Sequence, residues 1–451
     1  MSITDRIGIQ ELHKEQITTI QTILKKKQNI VVNAAAGVGK SVVIRFLAIW
    51  YNEHDTMTIV LVPQKKLATS HASVVGPDSV ATIASWTCNI DGGTYVSPNQ
   101  IFRRKHTAAT RKTCPFTIMI DEYTFITSQT LQLILACAEL VTSGPIYVLM
   151  FGDAHQLEPP DSVSLPIFRH PVFSARVLPG VRWSHKLQFL TLRDASGRFS
   201  QDPYLLRVLT DIRNYEKKVS PFVELFLQAQ SYQSFWVKQW MQTQNIPVIV
   251  TTSKAVQAIN TRFYNQAKDV TSSVVITPYK RSGKAEDAPA AVPLVVGQTV
   301  IMVRNYYGVD GTQVDNGTVG VLVSVPGGGV VSAAPAIEFK VRFDTGLLTI
   351  NCNKCSCGEY KGWTTVPMWM MRAITIHKQQ GATMDSAILD CSSGDRDFNR
   401  REYYVALSRC RHVFNGTSGL IIKNYVPGSI DNFSKMDPYL LSQAQRIDKI
   451  I

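Results

Sequence analysis

The chain has 451 residues and 45% of them are hydrophobic, which is enough for several buried cores and roughly two to four domains. Its apolar runs are of strand length, far below the ~20 residues that span a bilayer. The amino-terminal residues do not have the pattern of a secretion signal, so we expect a soluble intracellular protein. Its eight cysteines are then expected to be reduced thiols. The 47 basic and 34 acidic residues give a net charge of +13, which favours a polyanionic partner such as nucleic acid.

The first predicted elements follow the order helix, strand, loop, helix. Residues 12–24 have the apolar spacing of an amphipathic helix, 30–32 are β-prone, and 41–51 form a largely apolar helix. The loop AAAGVGKS at 34–41 matches the phosphate-loop pattern, except that Ala34 replaces the usual first glycine. In such a loop the backbone N–H groups and the lysine bind phosphate oxygens, and the serine hydroxyl binds Mg²⁺. The predicted nucleotide contacts are Ala36, Gly37, Val38, Gly39, Lys40 and Ser41.

Three further strand-like runs, at 59–62, 118–120 and 146–151, alternate with helix-length segments, as in a parallel α/β sheet. Asp121 and Glu122 follow the second run and therefore reach the carboxyl edge of the sheet, where open α/β folds bind ligands. We expect Asp121 to hold Mg²⁺ and Glu122 to activate water as a general base.

The segment GDAHQLEP at 152–159 follows the third run and should reach the same edge. Its Gln156 can then touch the γ-phosphate, so that loss of this phosphate shifts a loop coupled to the nucleic-acid path. Taken alone, the segment is equally compatible with an ordinary turn.

A second α/β pattern occupies the carboxyl-terminal half of the chain. The apolar runs 248–251 and 387–389 each precede a helical stretch, and the residues 295–350 between them are rich in Val and Gly with short alternating strands. These features predict a small β-barrel inserted into a second α/β domain. The segment 88–114 has no clear periodicity and carries a basic cluster, as expected of an excursion from the first sheet or of a solvated surface loop.

Six motifs occur in a fixed order along the chain, and together they resemble those of superfamily 1 helicases, most closely the Pif/RecD/Dda branch. They are LHKEQ at 12–16, AAAGVGKS at 34–41, IDEYTF at 120–125, GDAHQLEP at 152–159, TIHKQQG at 375–381 and YVALSRCR at 404–411. The resemblance covers nearly the whole chain. It implies an ATP- and Mg²⁺-dependent motor that moves 5′ to 3′ on single-stranded DNA and unwinds duplex.

The resemblance also implies a domain organisation of the α/β class. Two RecA-like, parallel-sheet domains of the P-loop type are expected, the first at 1–87 with 114–185 and the second at 186–294 with 362–451. A pin-like insertion is expected at 88–113 and the small barrel at 295–361. Without accessory domains, this arrangement favours a compact, monomeric motor whose loading or replication factors would be other proteins.

Several site residues are implied by the motif positions. Gln16 would read the adenine, and Gly381 belongs to the nucleotide site. The two arginines that stabilise the transferring phosphoryl group fall on Arg409 and Arg198, with Arg193 as a competing assignment for the second.

Single-strand binding needs basic, hydroxyl and aromatic groups without base-edge readout. The corresponding positions are Pro63, Gln64, Thr82, Ser85, Trp86, Thr252, His377 and Lys378, with Arg103 and Arg104 in the pin-like segment. Ala84 replaces a histidine that is frequent in relatives. Trp86 either compensates by stacking on a base or lies in the core.

Two further questions stay open at this level. Cys352, Cys355 and Cys357 provide three of the four ligands of a zinc site, or are free thiols in a loop. An RNA helicase of a viral replicase, or a nucleic-acid-stimulated ATPase that does not separate strands, are the alternative functions.

Overall fold

The computed structural model describes most of the chain. The described residues are 2–26, 28–54, 56–87, 114–157, 167, 187–195, 198–213, 218–231, 246–269, 271–280, 289–308, 311–355, 360–379, 383–391, 398–415 and 417–431. Within these ranges, no helix combines the length and the apolar character that crossing a membrane requires.

A six-stranded parallel sheet forms the first unit. Its strands are β1 (Asn29–Ala34), β2 (Met57–Val62), β3 (Val80–Thr82), β4 (Phe116–Asp121), β5 (Ile146–Gly152) and β6 (Leu187–Leu192), in the order β3-β2-β4-β5-β1-β6. Every residue of β1, β2 and β4 is buried, which explains why these strands are nearly continuous hydrophobic runs.

Helices cover both faces of this sheet. They are α1 (Ile3–Ile7), α2 (Lys14–Lys25), α3 (Lys40–Glu53), α4 (Lys65–Val75), α5 (Ile83–Trp86) and α6 (Ser128–Val141). Alternate residues of β1 enter different cores: Ile30 and Val32 pack with Leu47 of α3, whereas Val31 packs in the cluster that contains Ile134 of α6. The sheet thus holds the carboxyl ends of β1, β4 and β5 side by side at one edge.

The remaining elements belong to the carboxyl-terminal half. Its helices are α7 (Pro203–Arg213), α8 (Pro221–Ser231), α9 (Ser253–Ala267), α10 (Ile376–Gln379) and α11 (Arg400–Leu407). Its strands are β7 (Val248–Val250), β8 (Ser273–Thr277), β9 (Val292–Val295), β10 (Thr299–Met302), β11 (Tyr306–Tyr307), β12 (Gln313–Val314), β13 (Val319–Ser324), β14 (Gly329–Ser332), β15 (Glu338–Phe343), β16 (Gly346–Asn351), β17 (Asn353–Lys354), β18 (Thr364–Thr365), β19 (Met368–Met370), β20 (Ala373–Thr375), β21 (Ser386–Asp390) and β22 (Gly419–Lys423). Strands β20, β7, β21 and β22, in that order, form a parallel sheet that is the core of the second unit.

The predicted boundary between the two units, after residue 185, is wrong. Strand β6 pairs in parallel with β1, so that Leu187 lies opposite Asn29 and Leu192 opposite Ala34. The first unit therefore extends to Leu192. A short apolar run predicts a strand, but it carries no signal for which of two sheets the strand joins.

The predicted β-rich insertion is present, but its bounds of 295–361 are too narrow. An antiparallel sheet in the order β16-β15-β13-β10-β19 and a smaller sheet in the order β14-β8-β9 share one core, which includes Val274, Leu294, Phe339 and Met368. Strands β8, β9 and β19 lie partly or wholly outside the predicted range. The described strands form these two packed sheets rather than one closed barrel.

Candidate ATP site and strand-facing residues

The phosphate loop connects β1 to α3 at the carboxyl edge of the first sheet. Gly37 and Gly39 have positive φ angles of 87° and 81°. A Cβ atom on Gly39 would lie 2.3 Å from Nε2 of Gln16, and one on Gly37 would lie 2.5 Å from Cδ of Arg198. Ala34, by contrast, is the last residue of a buried, regularly paired strand, a conformation that alanine adopts without strain. The departure from the glycine pattern at this position is therefore harmless to the geometry.

Lys40 lies between two carboxylates. Its Nζ is 3.0 Å from Oδ1 of Asp121 and 2.5 Å from Oε1 of Glu122. Burial alone would lower the pKa of Lys40, but the two carboxylates outweigh it and raise this pKa. Lys40 is thus held in its charged form at the end of β4.

Asp121 has a second partner that the sequence did not indicate. Oδ2 of Asp121 is 3.1 Å from Nε2 of His71, a buried residue of α4. Burial would raise the pKa of Asp121, but Lys40 and His71 reverse the effect and bring it well below its usual range. The carboxylate is ionised and oriented, as a magnesium ligand must be.

Glu122 adopts a left-handed backbone conformation with φ of 56°, an uncommon state for a residue with a side chain. Its backbone N–H donates to Oδ1 of Asp121 at 2.9 Å. Burial and the charge of Asp121 raise the pKa of Glu122, although Lys40 opposes them. Oε2 of Glu122 is buried and has no hydrogen-bond partner among the described residues, so this oxygen can accept a hydrogen bond from a water molecule.

Gln156 lies at the same edge, in the turn that follows β5. The turn is fixed to β1, because the backbone N–H of Ala154 donates to Oδ1 of Asn33 at 3.0 Å. Gln156 is buried, and its Oε1 makes no hydrogen bond with any described residue. This placement at the carboxyl edge of the sheet is the one that the sequence predicts, and contact of Gln156 with a γ-phosphate stays a prediction. Glu158 and Pro159 of the same motif lie outside the described residues.

Arg409 reaches the site from the second unit. Its guanidinium donates to the backbone oxygen of Val405 at 2.7 Å, to that of Gln379 at 3.0 Å and to Oγ of Ser408 at 2.7 Å. Burial and the nearby charge of Arg198 lower its pKa to about 10, while Glu122 acts in the opposite direction. Arg409 is therefore protonated at neutral pH, and it lies close enough to Arg198 and Glu122 to interact electrostatically with both.

Arg198, rather than Arg193, lies against the phosphate loop. Its Nη2 donates to the backbone oxygen of Ser408 at 2.8 Å, and its side chain packs over Gly37. Arg193 is exposed, and its backbone N–H donates to Oε2 of Glu15 at 2.8 Å. The geometry thus favours Arg198 in the choice that the sequence left open.

Gln16 contacts the loop directly. Its Nε2 donates to the backbone oxygen of Val38 at 3.0 Å, and its Oε1 accepts from the backbone N–H of His13 at 3.0 Å. A carboxamide has two donors and two acceptor lone pairs, so half of its capacity is available to a base. Gly381 lies outside the described residues.

Sequence reasoning missed a group of residues that joins the two units. The hydroxyl of Tyr404 in α11 accepts from the backbone N–H of Ala36 at 3.0 Å and donates to Oδ2 of Asp153 at 2.7 Å. Nε of Arg213 lies 3.3 Å from Oδ1 of Asp153, and Nη2 of Arg401 donates to the backbone oxygen of Ala154 at 3.3 Å. Tyr404 and Asp153 both lie inside recognised motifs, but no sequence signal pairs one motif with the other.

Comparisons with known proteins agree with this arrangement. A family model described as an AAA domain matches residues 11–165. The structure of two Pif1 helicases coordinating at forked double-stranded DNA matches with a TM-score of 0.64 and 21% identity, over 97% of each chain. This chain has the Pif1 helicase fold. The predicted class, two RecA-like parallel-sheet domains, is confirmed.

Two further Pif1 structures show the same likeness. The Bacteroides Pif1 helicase in complex with ADP-AlF3 and single-stranded DNA gives a TM-score of 0.62 at 21% identity, covering 97% of both chains. The Candida albicans Pif1 helicase gives 0.61 at 17% identity, covering 97% of this chain and 99% of that one. The comparison with curated proteins gave no match.

Within the Pif1 fold, two of the residues predicted to contact the nucleic-acid strand, here called strand-facing residues, cap helices at the ends of β-strands. The hydroxyl of Thr82 accepts from the backbone N–H of Ser85 at 3.2 Å, and that of Thr252 accepts from the N–H of Ala255 at 3.2 Å. Gln64 immediately precedes α4, after β2 and the half-buried Pro63, but its side chain does not cap the helix. These side chains thus lie at corresponding places, at or just past the carboxyl ends of β2, β3 and β7.

Trp86 is not a strand contact, and that prediction is wrong. Its side chain is fully buried, with Nε1 donating to the backbone oxygen of Ile134 at 3.2 Å and the ring 6.0 Å from that of Phe116. The residue anchors α5 to α6 and therefore belongs to the core. Trp86 therefore cannot compensate for the histidine that relatives frequently have at the position of Ala84.

On the second unit, Lys378 is exposed and His377 half-buried in α10, the element that carries the TIHKQQG motif. Nζ of Lys378 lies 4.7 Å above the ring of Trp369, which positions a cation next to an aromatic face. Arg103 and Arg104 of the pin-like segment lie outside the described residues.

The cysteine cluster shows no metal site in the part of the chain that the structure describes, where no three His, Cys, Asp or Glu side chains could hold an ion together. Cys352 and Cys355 are buried, and Cys357 lies outside the described residues. Burial raises the pKa of Cys352 to about 11, which keeps this thiol neutral when no metal is bound.

Proposed function

We propose that this chain is an ATP-hydrolysing helicase of superfamily 1 that moves along single-stranded DNA. The observation that carries the proposal is the meeting of two sets of side chains at one phosphate loop. Lys40, Asp121 and Glu122 come from the first sheet, and Arg198 and Arg409 approach from the chain beyond it. An ATP site completed by a second unit responds to the relative position of the two, which is what a translocating motor requires.

The residues of the first unit fit a nucleotide with Mg²⁺. Ser41 and the ionised Asp121 would hold the metal, which neutralises charge on the phosphate oxygens when bound. Lys40 would bind the β- and γ-phosphates together with the backbone N–H groups of the loop. The buried, unpartnered Oε2 of Glu122 would orient the attacking water and accept its proton.

Two arginines beyond the first unit would supply charge stabilisation, and Gln156 of the first unit would supply the coupling. Arg198 and Arg409 would stabilise negative charge as it develops on the transferring phosphoryl group. Gln156, whose Oε1 is likewise buried and without a partner among the described residues, would detect the γ-phosphate from the turn after β5. Loss of this contact would shift the turn and, through it, the neighbouring strand-facing loops.

Single-stranded DNA and duplex junctions are the proposed partners. The net charge of +13 supports a polyanion, and the Pif1 structures of the same fold include one with single-stranded DNA and one at forked double-stranded DNA. Pro63, Gln64, Thr82, Ser85, Thr252, His377 and Lys378 are the proposed contacts. We propose movement from 5′ to 3′, as the family resemblance implies, by a monomer.

ATP hydrolysis with and without single-stranded DNA or RNA tests the proposal directly. Wild type is compared with Lys40→Ala and Glu122→Gln, and Lys340→Ala, an exposed lysine of β15, serves as the matched control. We expect DNA-stimulated turnover that both site variants lose and the control retains. Turnover indifferent to either polymer would leave an ATPase and reject the helicase.

Strand displacement then tests polarity and unwinding. Duplexes with a 5′ or a 3′ single-stranded tail are offered to the protein with ATP. We expect displacement from the 5′-tailed substrate. Displacement from the 3′ tail would reverse the proposed direction, and stimulated hydrolysis without displacement from either substrate would favour a remodelling ATPase.

A further inference from the structure

The hydroxyl of Tyr404 is hydrogen-bonded to a backbone N–H of the phosphate loop. Tyr404 is fully buried in α11 of the second unit, yet its hydroxyl accepts from the backbone N–H of Ala36, a member of the phosphate loop, at 3.0 Å. The same hydroxyl donates to Oδ2 of Asp153 at 2.7 Å, a length typical of a charge-assisted bond. One oxygen atom thus connects the loop, the turn after β5 and the helix that precedes Arg409.

The protonation state of this hydroxyl is settled by its surroundings. Burial and the neighbouring charge of Asp153 raise the pKa of Tyr404 well above its usual value. The phenol is therefore neutral at any working pH. Its O–H donates a hydrogen bond to the Asp153 carboxylate, and a lone pair of the same oxygen accepts the hydrogen bond from the Ala36 N–H.

We propose that Tyr404 is a nucleotide-responsive positioning residue, whose hydroxyl holds the Ala36 N–H until a phosphate oxygen takes that N–H over. The inference rests on the proposed ATP site. An N–H group makes one strong hydrogen bond at a time, and a charged phosphate oxygen is a stronger acceptor than a neutral phenol. Nucleotide entry therefore releases Tyr404 from the loop and leaves it bound to Asp153.

The release reaches the catalytic arginines through short, rigid connections. The backbone N–H of Ser408 donates to the backbone oxygen of Tyr404 at 3.1 Å, and Ser408 in turn accepts hydrogen bonds from both Arg198 and Arg409. On the other side, Asp153 is bound by Arg213 at the end of α7. A displacement of the tyrosine hydroxyl is thereby passed to elements on both sides of the nucleotide.

The test is Tyr404→Phe, which removes only the hydroxyl, with Tyr403→Phe as the matched control. Tyr403 is the adjacent, equally buried tyrosine, and its hydroxyl bonds to Oγ of Ser429 at 2.9 Å, away from the loop. Because the competitor for the Ala36 N–H is gone, we expect Tyr404→Phe to bind ADP about 2- to 10-fold more tightly than wild type, the range of one net hydrogen bond. Strand-stimulated kcat should fall in the same variant. The control should change neither quantity.

A merely structural role gives the opposite split, since it would weaken ADP binding and lower the melting temperature together. Unchanged or weaker ADP binding in a Tyr404→Phe protein that melts like wild type overturns the inference while leaving the ATPase intact. Wild-type protein that binds neither ADP nor ATP rejects the proposed function as well, so the two failures are distinguishable.

Should Tyr404→Phe fail to fold, a second measurement keeps the hydroxyl in place. A single 3-fluorotyrosine introduced at position 404 reports on its hydroxyl through the fluorine resonance. We expect this resonance to move when ADP is added, and a resonance that ADP leaves unchanged overturns the inference.

Discussion

The two sides of the ATP site hold their cations differently. On the first-unit side, Lys40 is compensated by two buried carboxylates, Asp121 and Glu122. On the second-unit side, Arg198 and Arg409 are held through backbone carbonyls and a serine hydroxyl, which are neutral acceptors. The first arrangement stores a cation and its counter-ions in one unit. The second orients two positive charges through neutral acceptors, and a phosphate that binds between the units would attract both arginines.

The largest effect expected from this difference is the loss of Arg409. Arg409→Ala should reduce strand-stimulated kcat by about 10³-fold or more, the scale on which arginines complete phosphoryl-transfer sites. ADP binding should change little, because Lys40 and the phosphate loop remain. Single-turnover hydrolysis and an ADP titration check the two parts. The matched control is Arg342→Ala, an exposed arginine of β15, and an Arg409→Ala protein with wild-type kcat would remove this residue from the chemistry.

These two sides were also unequally predictable from sequence. Lys40, Asp121 and Glu122 follow buried strands, and because parallel strands bring their carboxyl ends to one edge, their proximity followed from the pattern. The role of His71 and the bond between Tyr404 and Ala36 depend on how a helix packs on the sheet and how one unit docks on the other. No local pattern encodes either contact. The prediction for Trp86 was wrong for a related reason. Tryptophan is suited both to a stacking surface and to a core, and only the packing of α5 on α6 determines which role it has.

The choice between two arginines sharpens the comparison next. Arg198→Ala should lower kcat by on the order of 10²-fold, because its guanidinium bonds Ser408 beside Arg409 and its side chain covers Gly37. Arg193→Ala, at an exposed position, should leave kcat within about twofold of wild type. Steady-state hydrolysis at saturating DNA measures both. The reverse ranking would move the second arginine role to Arg193.

The adjacent carboxylates offer a pair of variants with opposite expected signs. The pKa of Asp121 is below its ordinary value of 3.8, so its ionised form stabilises the fold, and this contribution is lost as the pH falls through the folded-state pKa. The pKa of Glu122 is above its ordinary value of 4.5, so its protonated form is the stabilising one, and this contribution is lost as the pH rises through the raised pKa.

Asp121→Asn should therefore melt below wild type at neutral pH, whereas Glu122→Gln, which imitates the protonated acid, should melt at or above wild type. Each difference should narrow in acid, that of Glu122→Gln first, because the raised pKa is crossed before the lowered one. Thermal melts of nucleotide-free protein between neutral pH and pH 4 follow the narrowing for Glu122→Gln, and the Asp121→Asn difference should persist across this range because the lowered pKa of Asp121 lies below it. If both variants shifted the melting temperature in the same direction, the two carboxylates would not have opposite effects on stability, and this interpretation of their pKa shifts would be wrong.

The smallest expected effect separates the strand-facing surface from the core. Each lysine that neutralises a phosphate adds about one to the slope of log affinity against log salt. Lys378→Ala should therefore reduce this slope for single-stranded DNA by about one, with Lys340→Ala as a control that leaves it unchanged. Trp86→Phe removes the bond to Ile134 within the core and should lower the melting temperature while keeping the slope. If Trp86→Phe instead weakened DNA binding at an unchanged melting temperature, α5 would have to open to expose the ring, and the boundary between core and strand path would lie elsewhere.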